Sequence, residues 1–216
     1  PSAHIQAGER SGNIDGIARH AMARLVNLHF ASNHDAATRL IRSGEEPWRV
    51  FDVGAPQLDE IVAGLCTGPE DLIREGIRPA GPFILACFHP VTENIDVIKD
   101  QVQLLIEGLH SRDEPVVWVL PNNDAGGELV REAVMSGLRR KDLAHSNLHR
   151  RDYLGLMRDC QAIVGNSSSG LLEAPLFGTP ALNVGRRQQD RVRGENTIDV
   201  DPSASSIEGG LEQVLQ

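Results

Sequence analysis

Residues 162–177 of the chain, AIVGNSSSGLLEAPLF, determine the fold class. Aliphatic residues come first, a loop of glycine, asparagine and serine follows, and leucines at helical spacing complete the stretch. A strand that enters a helix through a small polar loop is typical of an α/β unit. Free backbone N–H groups and hydroxyls at that helix start would suit an anion such as phosphate. The alternative is that the serines only cap the helix.

The same alternation of strands and helices extends along the chain. Short aliphatic runs predict strands at 3–6, 29–32, 50–53, 83–88, 116–120, 162–164 and 181–184. Helical patterns occupy 14–26, 34–43, 94–109, 126–140, 150–160, 169–177 and 204–215. Strands that alternate with helices of this length predict an α/β protein with a mostly parallel sheet, covered by helices on both faces.

Two lobes of unequal completeness follow from this pattern. Residues 57–216 hold enough strands for a complete five-stranded α/β unit, whereas residues 1–56 offer three strands and two helices. Three parallel strands make a poor independent domain because one edge and much of one face stay open. We therefore expect residues 1–56 to be the C-terminal part of a larger lobe. The glycines and prolines of 64–82 predict a flexible crossover between the lobes.

Composition and charge argue against several classes of partner. The 216 residues carry 21 basic and 30 acidic side chains, and the net charge of −9 argues against a nucleic-acid binder. The longest apolar run, 83–88, is far shorter than the ~20 residues that span a bilayer, so we expect no membrane partner. Three widely spaced cysteines without a C-x-x-C pair favour a reducing, cytoplasmic compartment. No convincing metal-ligand set appears, and we expect neither a metal nor a cofactor.

Polar residues follow two further strands at their carboxyl ends, where ligands bind in open α/β sheets. His89 comes directly after the strand at 83–88 and suits phosphate or proton chemistry. Asn122 follows the strand at 116–120 in the equivalent position. Each has a structural alternative, as a strand-end histidine or as a turn residue. Glu173, just after the serine loop, would face the same ligand and accept hydrogen bonds from hydroxyls, for example those of a ribose.

Two charged segments complete the set of candidates. Residues 185–193, GRRQQDRVR, concentrate arginines after the strand at 181–184. A fixed guanidinium can clamp a diphosphate, and the alternative is a solvated loop. Residues 4–15, HIQAGERSGNID, end a strand and enter a helix through glycines. Their two carboxylates and one arginine suffice for general acid–base chemistry, although they also fit an ordinary helix start.

Together these motifs resemble the UDP-N-acetylglucosamine 2-epimerase family, especially its hydrolysing, sialic-acid-pathway branch. The matching segments are HIQAGERSGNIDGIARHA, FDVGAPQLDEI, FHPVTEN, LPNNDAGG, VGNSSSGLLEAPLFGTPALNVGRRQ and RGEN. The resemblance implies a glycosyltransferase-B-like fold, with a UDP-sugar between two Rossmann-like lobes, and a homo-oligomer. Members eliminate UDP across C1 and C2 of the sugar to give a glycal. Hydrolysing members then add water and release N-acetylmannosamine, whereas the non-hydrolysing branch adds UDP back.

The resemblance also implies roles for individual residues. Two serines, Ser167 and Ser168, would hold the diphosphate, and Glu173 would hold the ribose hydroxyls. The residues that would line the same UDP-sugar site are His89, Asn122 and Arg187.

The implied catalytic groups are Asp15, which matches a carboxylate of the acid–base steps, and His89. Gln6 departs from the family's H-I-E-[AG]-G pattern, which has a catalytic glutamate there, and an amide cannot take up a proton at neutral pH. Glu9 lies close in sequence and could substitute. The family's first lobe also has a phosphate-contacting loop and an H-G-D-R motif, and neither occurs in these 216 residues. We therefore expect this chain alone to lack much of the catalytic lobe.

Three hypotheses follow. The main one is a hydrolysing UDP-N-acetylglucosamine 2-epimerase, or an enzyme that acts in the same way on a related 2-acetamido UDP-sugar. Gln6 and the absent motifs leave open a non-catalytic UDP-sugar-binding protein. A glycosyltransferase of the same fold is the third, although the HPVT and HIQAG segments fit it poorly.

Overall fold

The computed structural model describes residues 1–10 and 14–215, apart from the side chains of residues 14, 15 and 92–94. Within this part the chain divides into two units, one of residues 1–63 with 187–191 and one of residues 64–186 with 192–216. Both are α/β units with parallel sheets, which confirms the predicted fold class. No helix in the described ranges has the length and apolar character that a membrane span requires.

The first unit is built on the three predicted strands. They are β1 Ala3–Ala7, β2 Leu28–Ala31 and β3 Val50–Asp52, which lie parallel in the order β1-β2-β3. The helices are α1 Ile14–Ala23, α2 His34–Arg42 and α3 Asp59–Val62, with 3-10 turns at Pro47–Arg49 and Pro56–Leu58. The buried core consists of alanines and Leu40, so this unit buries little apolar area.

The first unit also extends beyond residue 56, where we predicted the lobe boundary. The turn at Pro56–Leu58 leads directly into α3, and the chain leaves the unit only after Ala63.

The second unit contains six parallel strands. The strands are β4 Ile84–Cys87, β5 Val116–Val119, β6 Leu143–His145, β7 Ala162–Gly165, β8 Ala181–Val184 and β9 Thr197–Val200, in the order β6-β5-β4-β7-β8-β9. The helices are α4 Pro69–Arg74, α5 Ile98–His110, α6 Gly127–Gly137, α7 Arg150–Asp159, α8 Ser169–Leu172 and α9 Ala204–Val214. Helices α5, α6 and α9 cover one face of the sheet around Trp118, and α7 covers the other around Leu85.

Strands β4 and β7 lie at a topological switch point. From β4 the sheet continues through β5 to β6 on one side, and from β7 it continues through β8 to β9 on the other. The connections therefore leave these two central strands in opposite directions and open a crevice beyond their carboxyl ends. In open α/β sheets, such a crevice is where ligands bind.

We expected a five-stranded unit and located four of its strands in the sequence; the sheet has six, and the two that were missed are the edges β6 and β9. Both are short and only partly buried. An edge strand packs on fewer neighbours, so it lacks the continuous aliphatic run that marks a central parallel strand.

The prediction of a flexible crossover at 64–82 is wrong, because this segment contains α4. Pro69 starts the helix, where a missing N–H costs nothing. Leu72 is fully buried, and α4 packs on α7. Arg78 Nη1 also donates to Asp159 Oδ2 at 2.7 Å. Packing of one apolar side chain and an ion pair thus outweighs the loop-like composition.

Two predicted helices are divided into shorter elements. The helix predicted at 169–177 is α8 followed by a 3-10 turn, Ala174–Phe177. Pro175 has no N–H and cannot continue the α-helical ladder. The helix predicted at 94–109 begins with a 3-10 turn, Thr92–Val97, before α5.

Candidate functional site

The two central strands of the second unit approach each other closely at their carboxyl ends. Gly165, the last residue of β7, has a φ of +138°, and a Cβ there would lie 2.0 Å from the carbonyl oxygen of Cys87. Only glycine fits this contact. The backbone N–H of Asn166 donates to the same carbonyl at 3.2 Å. The serine loop, residues 165–170, therefore begins directly beside the end of β4.

His89 is bonded to this loop through its main chain. Its N–H donates to Asn166 Oδ1 at 2.7 Å, and its carbonyl oxygen accepts from Asn166 Nδ2 at 2.8 Å. The imidazole Nε2 lies 3.4 Å from Cys87 Sγ. These contacts hold His89 at the switch point, next to the serines.

A cavity of about 610 Å³ opens at the same place. It brings together three predicted site residues, His89, Asn122 and Ser167. Its volume falls in the ~300–1,000 Å³ range of small-ligand sites. The structure thus collects two strand ends and the serine loop in one cavity, while the roles of the individual residues stay predictions.

Other residues of the lining were missed by the sequence reasoning. Arg131 of α6, Arg150 and Tyr153 of α7, and Ser169 all line the cavity, as does the loop after β6 at 146–148. That loop was missed because β6 was missed. The rule that ligands lie beyond the carboxyl ends of strands finds it once β6 is recognised.

Three hydroxyl groups form a hydrogen-bonded chain beside the cavity. Tyr153 Oη lies 2.6 Å from Ser169 Oγ, which lies 2.9 Å from Ser167 Oγ. Burial raises the pKa of Tyr153 well above its usual value, so this phenol stays protonated. A Tyr153 hydroxyl that donates to Ser169 lets Ser169 donate in turn to Ser167, and the proton of Ser167 is then available to a ligand.

Ser168 differs from the serines on either side of it. It is the N-cap of α8, its carbonyl oxygen accepts from the N–H groups of Leu171 and Leu172, and it is not part of the cavity lining. Because α8 has only 4 residues, the hydroxyls matter more here than a long helix dipole. Diphosphate binding by Ser168 stays a prediction.

Glu173 also lies outside the cavity lining. Its side chain is buried, and its Oε1 accepts a hydrogen bond from Arg150 Nη2 at 2.7 Å. Since Arg150 lines the cavity, the carboxylate fixes one of the cations that a bound anion would meet. Direct contact of Glu173 with a ribose stays a prediction.

The first unit has its own cavity of about 410 Å³, beyond the carboxyl end of β1. Glu9 and Arg10 are part of its lining. The buried carboxylate of Glu9 accepts from Arg191 Nη2 at 2.6 Å and from Arg19 Nη1 at 3.5 Å. Asp15 belongs to α1, but its side chain lies outside the described residues.

Gln6 lies at a β-bulge. Its φ is +59°, and the pairing of β1 with β2 shifts register between Ile5 and Ala7. A left-handed backbone costs a non-glycine residue ~1–2 kcal/mol, and a bulge re-aims the side chain that it carries. Strain of this kind concentrates at functional positions, and Gln6 is the position at which the resemblance implies a catalytic glutamate.

The arginine-rich segment 185–193 is only partly solvated in the structure. Gln188 is buried, and the side chain of Arg191 is only 9% exposed. Residues 187–191 belong to the first unit. Arg187 is half-buried, and its contact with a diphosphate stays a prediction.

The described residues contain no group of three or more His, Cys, Asp or Glu side chains that could hold a metal ion. The polar groups at the larger cavity are hydroxyls, amides, an imidazole and two guanidinium groups. Such groups donate hydrogen bonds to an anion and offer ring and carbonyl contacts to an organic ligand.

Known proteins match the whole of this chain. The family model of UDP-N-acetylglucosamine 2-epimerase matches residues 1–216. A UDP-N,N'-diacetylbacillosamine 2-epimerase (hydrolyzing) of Legionella pneumophila is 37% identical over 218 residues, which cover 100% of this chain and 58% of that protein. A UDP-N-acetylglucosamine 2-epimerase of Neisseria meningitidis is 30% identical over 210 residues, which cover 97% of this chain and 56% of that protein.

A solved structure shows the same fold. The UDP-GlcNAc 2-epimerase of Methanocaldococcus jannaschii, in complex with UDP-GlcNAc and UDP, matches with a TM-score of 0.79 at 18% identity, over 99% of this chain and 62% of that one. The chain spans a little more than half the length of the curated relatives that it matches. Its fold is glycosyltransferase-B-like, with one complete Rossmann-like unit and part of a second, and the chain belongs to the UDP-N-acetylglucosamine 2-epimerase family.

Proposed function

We propose that the protein to which this chain belongs is a hydrolysing 2-epimerase that acts on a 2-acetamido UDP-sugar. A base removes the C2 proton while the bond from C1 to the UDP oxygen breaks, which gives UDP and a glycal. Water then adds its oxygen to C1, and C2 takes up a proton on the opposite face. The observation that carries this proposal is the cavity at the β4–β7 switch point with His89, Asn122 and Ser167 in its lining.

The UDP moiety is assigned to this cavity. Ser167 of the lining and the neighbouring Ser168 would contact the diphosphate, and Glu173 the ribose. Contact of Arg187, a residue of the first unit, with a diphosphate is proposed separately from this cavity. Arg131 and Arg150 add two positive charges to the lining, and Arg150 is fixed by its ion pair with Glu173. A chain of net charge −9 can bind an anion here because the local charge, rather than the average, acts at short range.

The proton transfers are assigned to Asp15, His89 and Glu9. Glu9 already accepts hydrogen bonds from two arginines. For Glu9 to transfer a proton, one of these hydrogen bonds has to break when the substrate binds. A second candidate function is a UDP-sugar-binding protein without turnover. It is favoured by the glutamine at position 6, which lies at a β-bulge where the resemblance implies a catalytic glutamate. An amide at this position can orient a hydroxyl but cannot take a proton.

The sugar is proposed to be UDP-N-acetylglucosamine or a relative with an acetamido group at C4 as well. The name of the Neisseria meningitidis protein contains the first sugar, and that of the Legionella pneumophila protein contains a sugar of the second kind. A homo-oligomer in the cytoplasm that feeds sialic acid or related sugar biosynthesis is part of the same proposal.

Two measurements test the proposal. Isothermal titration of this chain with UDP should show binding, and His89→Ala or Ser167→Ala should weaken it at least about tenfold, because loss of one good hydrogen bond to a charged ligand costs ~1.5–3 kcal/mol. Ser136→Ala removes an exposed hydroxyl on α6 and serves as the control. UDP affinity that none of these substitutions changes would contradict the assignment of the cavity.

Turnover is measured on the full-length protein with each of the two UDP-sugars in deuterated water. Release of UDP, together with a free 2-epimer that carries deuterium at C2, supports the hydrolysing reaction. UDP binding without release of UDP identifies the non-catalytic alternative, and Gln6→Glu should then restore turnover.

A further inference from the structure

We propose that Asn166 is a positioning residue for His89, so that its side-chain amide sets the place of the imidazole in the cavity. The inference rests on the proposed function, because it takes His89 as a substrate-binding or catalytic group. Asn166 itself is buried and is not part of the cavity lining. Its effect on a ligand would therefore pass through His89.

The side-chain amide of Asn166 bonds both main-chain polar groups of His89, as a second main chain would. Asn166 Oδ1 accepts the His89 N–H at 2.7 Å, and Asn166 Nδ2 donates to the His89 carbonyl at 2.8 Å. The two bonds run in opposite directions, as they do in a hydrogen-bonded residue pair of an antiparallel ladder. A primary amide offers one acceptor and one donor at this spacing at any pH, whereas an ionised carboxylate offers acceptors alone.

This pair lies where the sheet itself ends. The last β4–β7 pairing joins Cys87 to Gly165, and the Asn166 N–H still donates to the Cys87 carbonyl. His89 lies two residues beyond that strand end, outside the ladder. The Asn166 amide thus extends the rigid edge of the sheet by side-chain bonds as far as His89.

The same contacts connect His89 to the serine loop. Asn166 directly precedes Ser167, whose Oγ is part of the hydroxyl chain with Ser169 and Tyr153. Asn166 thus belongs to the serine loop by its main chain, while the two hydrogen bonds of its side chain go to His89. Loss of its amide should free the main chain of His89 without removing any group from the cavity.

A double-mutant cycle with UDP as the probe tests the coupling. We expect Asn166→Ala to lower UDP affinity about as much as His89→Ala does, roughly tenfold, and Asn166→Ala/His89→Ala to bind no more weakly than His89→Ala alone. Two independent effects would instead multiply, and that result would overturn the proposal. Thr179→Val is the matched control, because it removes a buried side-chain hydrogen bond to a main-chain carbonyl, that of Met157, in the same unit but outside the serine loop. It should show no coupling to His89→Ala.

Asn166→Asp supplies a readout that a merely structural role would not produce. The introduced carboxylate can accept from the His89 N–H but cannot donate to the His89 carbonyl. Once protonated, it offers one donor and one acceptor and mimics the amide. Burial beside a carbonyl oxygen favours the neutral acid and places its titration above the usual ~3.9. The affinity ratio of this variant to wild type should therefore be lowest at pH 8 and recover as the pH falls towards 5. A ratio that does not change with pH would contradict the proposal.

A measurement without UDP separates this inference from the proposed function. In the free chain, the backbone amide of His89 should be protected from hydrogen exchange, and Asn166→Ala should lower that protection at least tenfold while leaving the amides of β8 unchanged. If wild type does not bind UDP, the proposed function fails, and this exchange result alone decides whether Asn166 fixes His89. Equal protection in wild type and variant rejects the positioning role.

Discussion

Asp142 shows at the scale of a single residue how a buried charge is stabilised. Its side chain is fully buried and accepts from the backbone N–H groups of Val116 and Arg139, each at 2.9 Å, and from the Arg139 guanidinium. Burial raises the pKa of Asp142, but these hydrogen bonds outweigh it, and the net shift is downward. The carboxylate thus joins the start of β5 to the turn before β6.

This downward shift makes the stability of the second unit depend on pH. The unfolded chain binds the Asp142 proton at higher pH than the folded chain, so the stabilisation is complete above the unfolded pKa of about 3.9 and is lost as the pH falls through the folded value. Asp142→Asn should lower the free energy of unfolding at pH 7 by about 2–4 kcal/mol and flatten its decline below pH 5. Urea unfolding followed by the fluorescence of buried Trp118 measures both.

Asp113→Asn is the control for this experiment, because Asp113 is fully exposed and pairs with Lys141 at the surface. It should leave the stability at pH 7 almost unchanged, because solvent screens an exposed ion pair. An equal loss in both variants, or an unchanged acid slope in Asp142→Asn, would contradict this explanation.

At the scale of elements, α4 packs on α7 through the apolar side chain of Leu72, although the composition of 64–82 is typical of a loop. Leu72 is fully buried, and a Cβ on the α4-facing Gly155 of α7 would lie 2.9 Å from Leu72 Cδ1 and 2.6 Å from the Thr67 carbonyl. Glycine in α7 therefore lets α4 and the segment before it pack closely. The loop-like sequence of 64–82 is an ordered part of the second unit for this reason.

Leu72→Ala should destabilise the second unit by about 2–4 kcal/mol, since it leaves a cavity between α4 and α7. Ile73→Ala, on the next residue of α4, removes a side chain that is 39% exposed and should cost less than about 1 kcal/mol. The same tryptophan-monitored urea unfolding compares them. If the two variants are equally stable, α4 does not contribute to the core.

At the scale of the whole molecule, the first unit is completed by residues that come late in the sequence. Residues 187–191 follow β8 of the second unit but belong to the first. Arg191 Nη2 contacts Glu9 Oε2 at 2.6 Å, and both side chains are less than a tenth exposed. This ion pair holds segment 187–191 against the residues that follow β1, although the two are far apart in sequence.

A double-mutant cycle of Glu9→Gln with Arg191→Met should give a coupling energy of about 1.5–3 kcal/mol, because each single change removes the charged group nearest to a buried charge and leaves it with the weaker contact to Arg19 or to the neutral Gln188. The exposed pair Arg10–Asp190, 3.4 Å apart, should give less than about 1 kcal/mol in the same cycle. Hydrogen exchange of the β1 and β2 amides reports the stability of the first unit. Equal coupling in the two pairs would show that burial has no part in it.

Strong periodicity made much of this fold predictable. All seven predicted strands are present. The four in the second unit, β4, β5, β7 and β8, are covered on both faces and buried nearly throughout, so their sequences are almost continuously apolar. The edges β6 and β9 carry no such signal. The serine loop, His89 and Asn122 could be placed at one edge of the sheet because the carboxyl ends of parallel strands lie together. Tyr153, Arg150 and Arg131 could not, because they reach the cavity from helices whose rotation depends on packing.

The sequence by itself determined the α/β class, the alternation of strands and helices and the small polar loop after β7. These depend on neighbours in the chain, and a pattern of apolar residues and turn formers encodes them directly. Only the tertiary structure decided that Asn166 holds His89, that Glu173 meets Arg150 and that Arg191 meets Glu9. Those partners are 77, 23 and 182 residues apart, and no local propensity specifies such pairs. They form because folding brings buried polar groups together, and each must find a partner away from water.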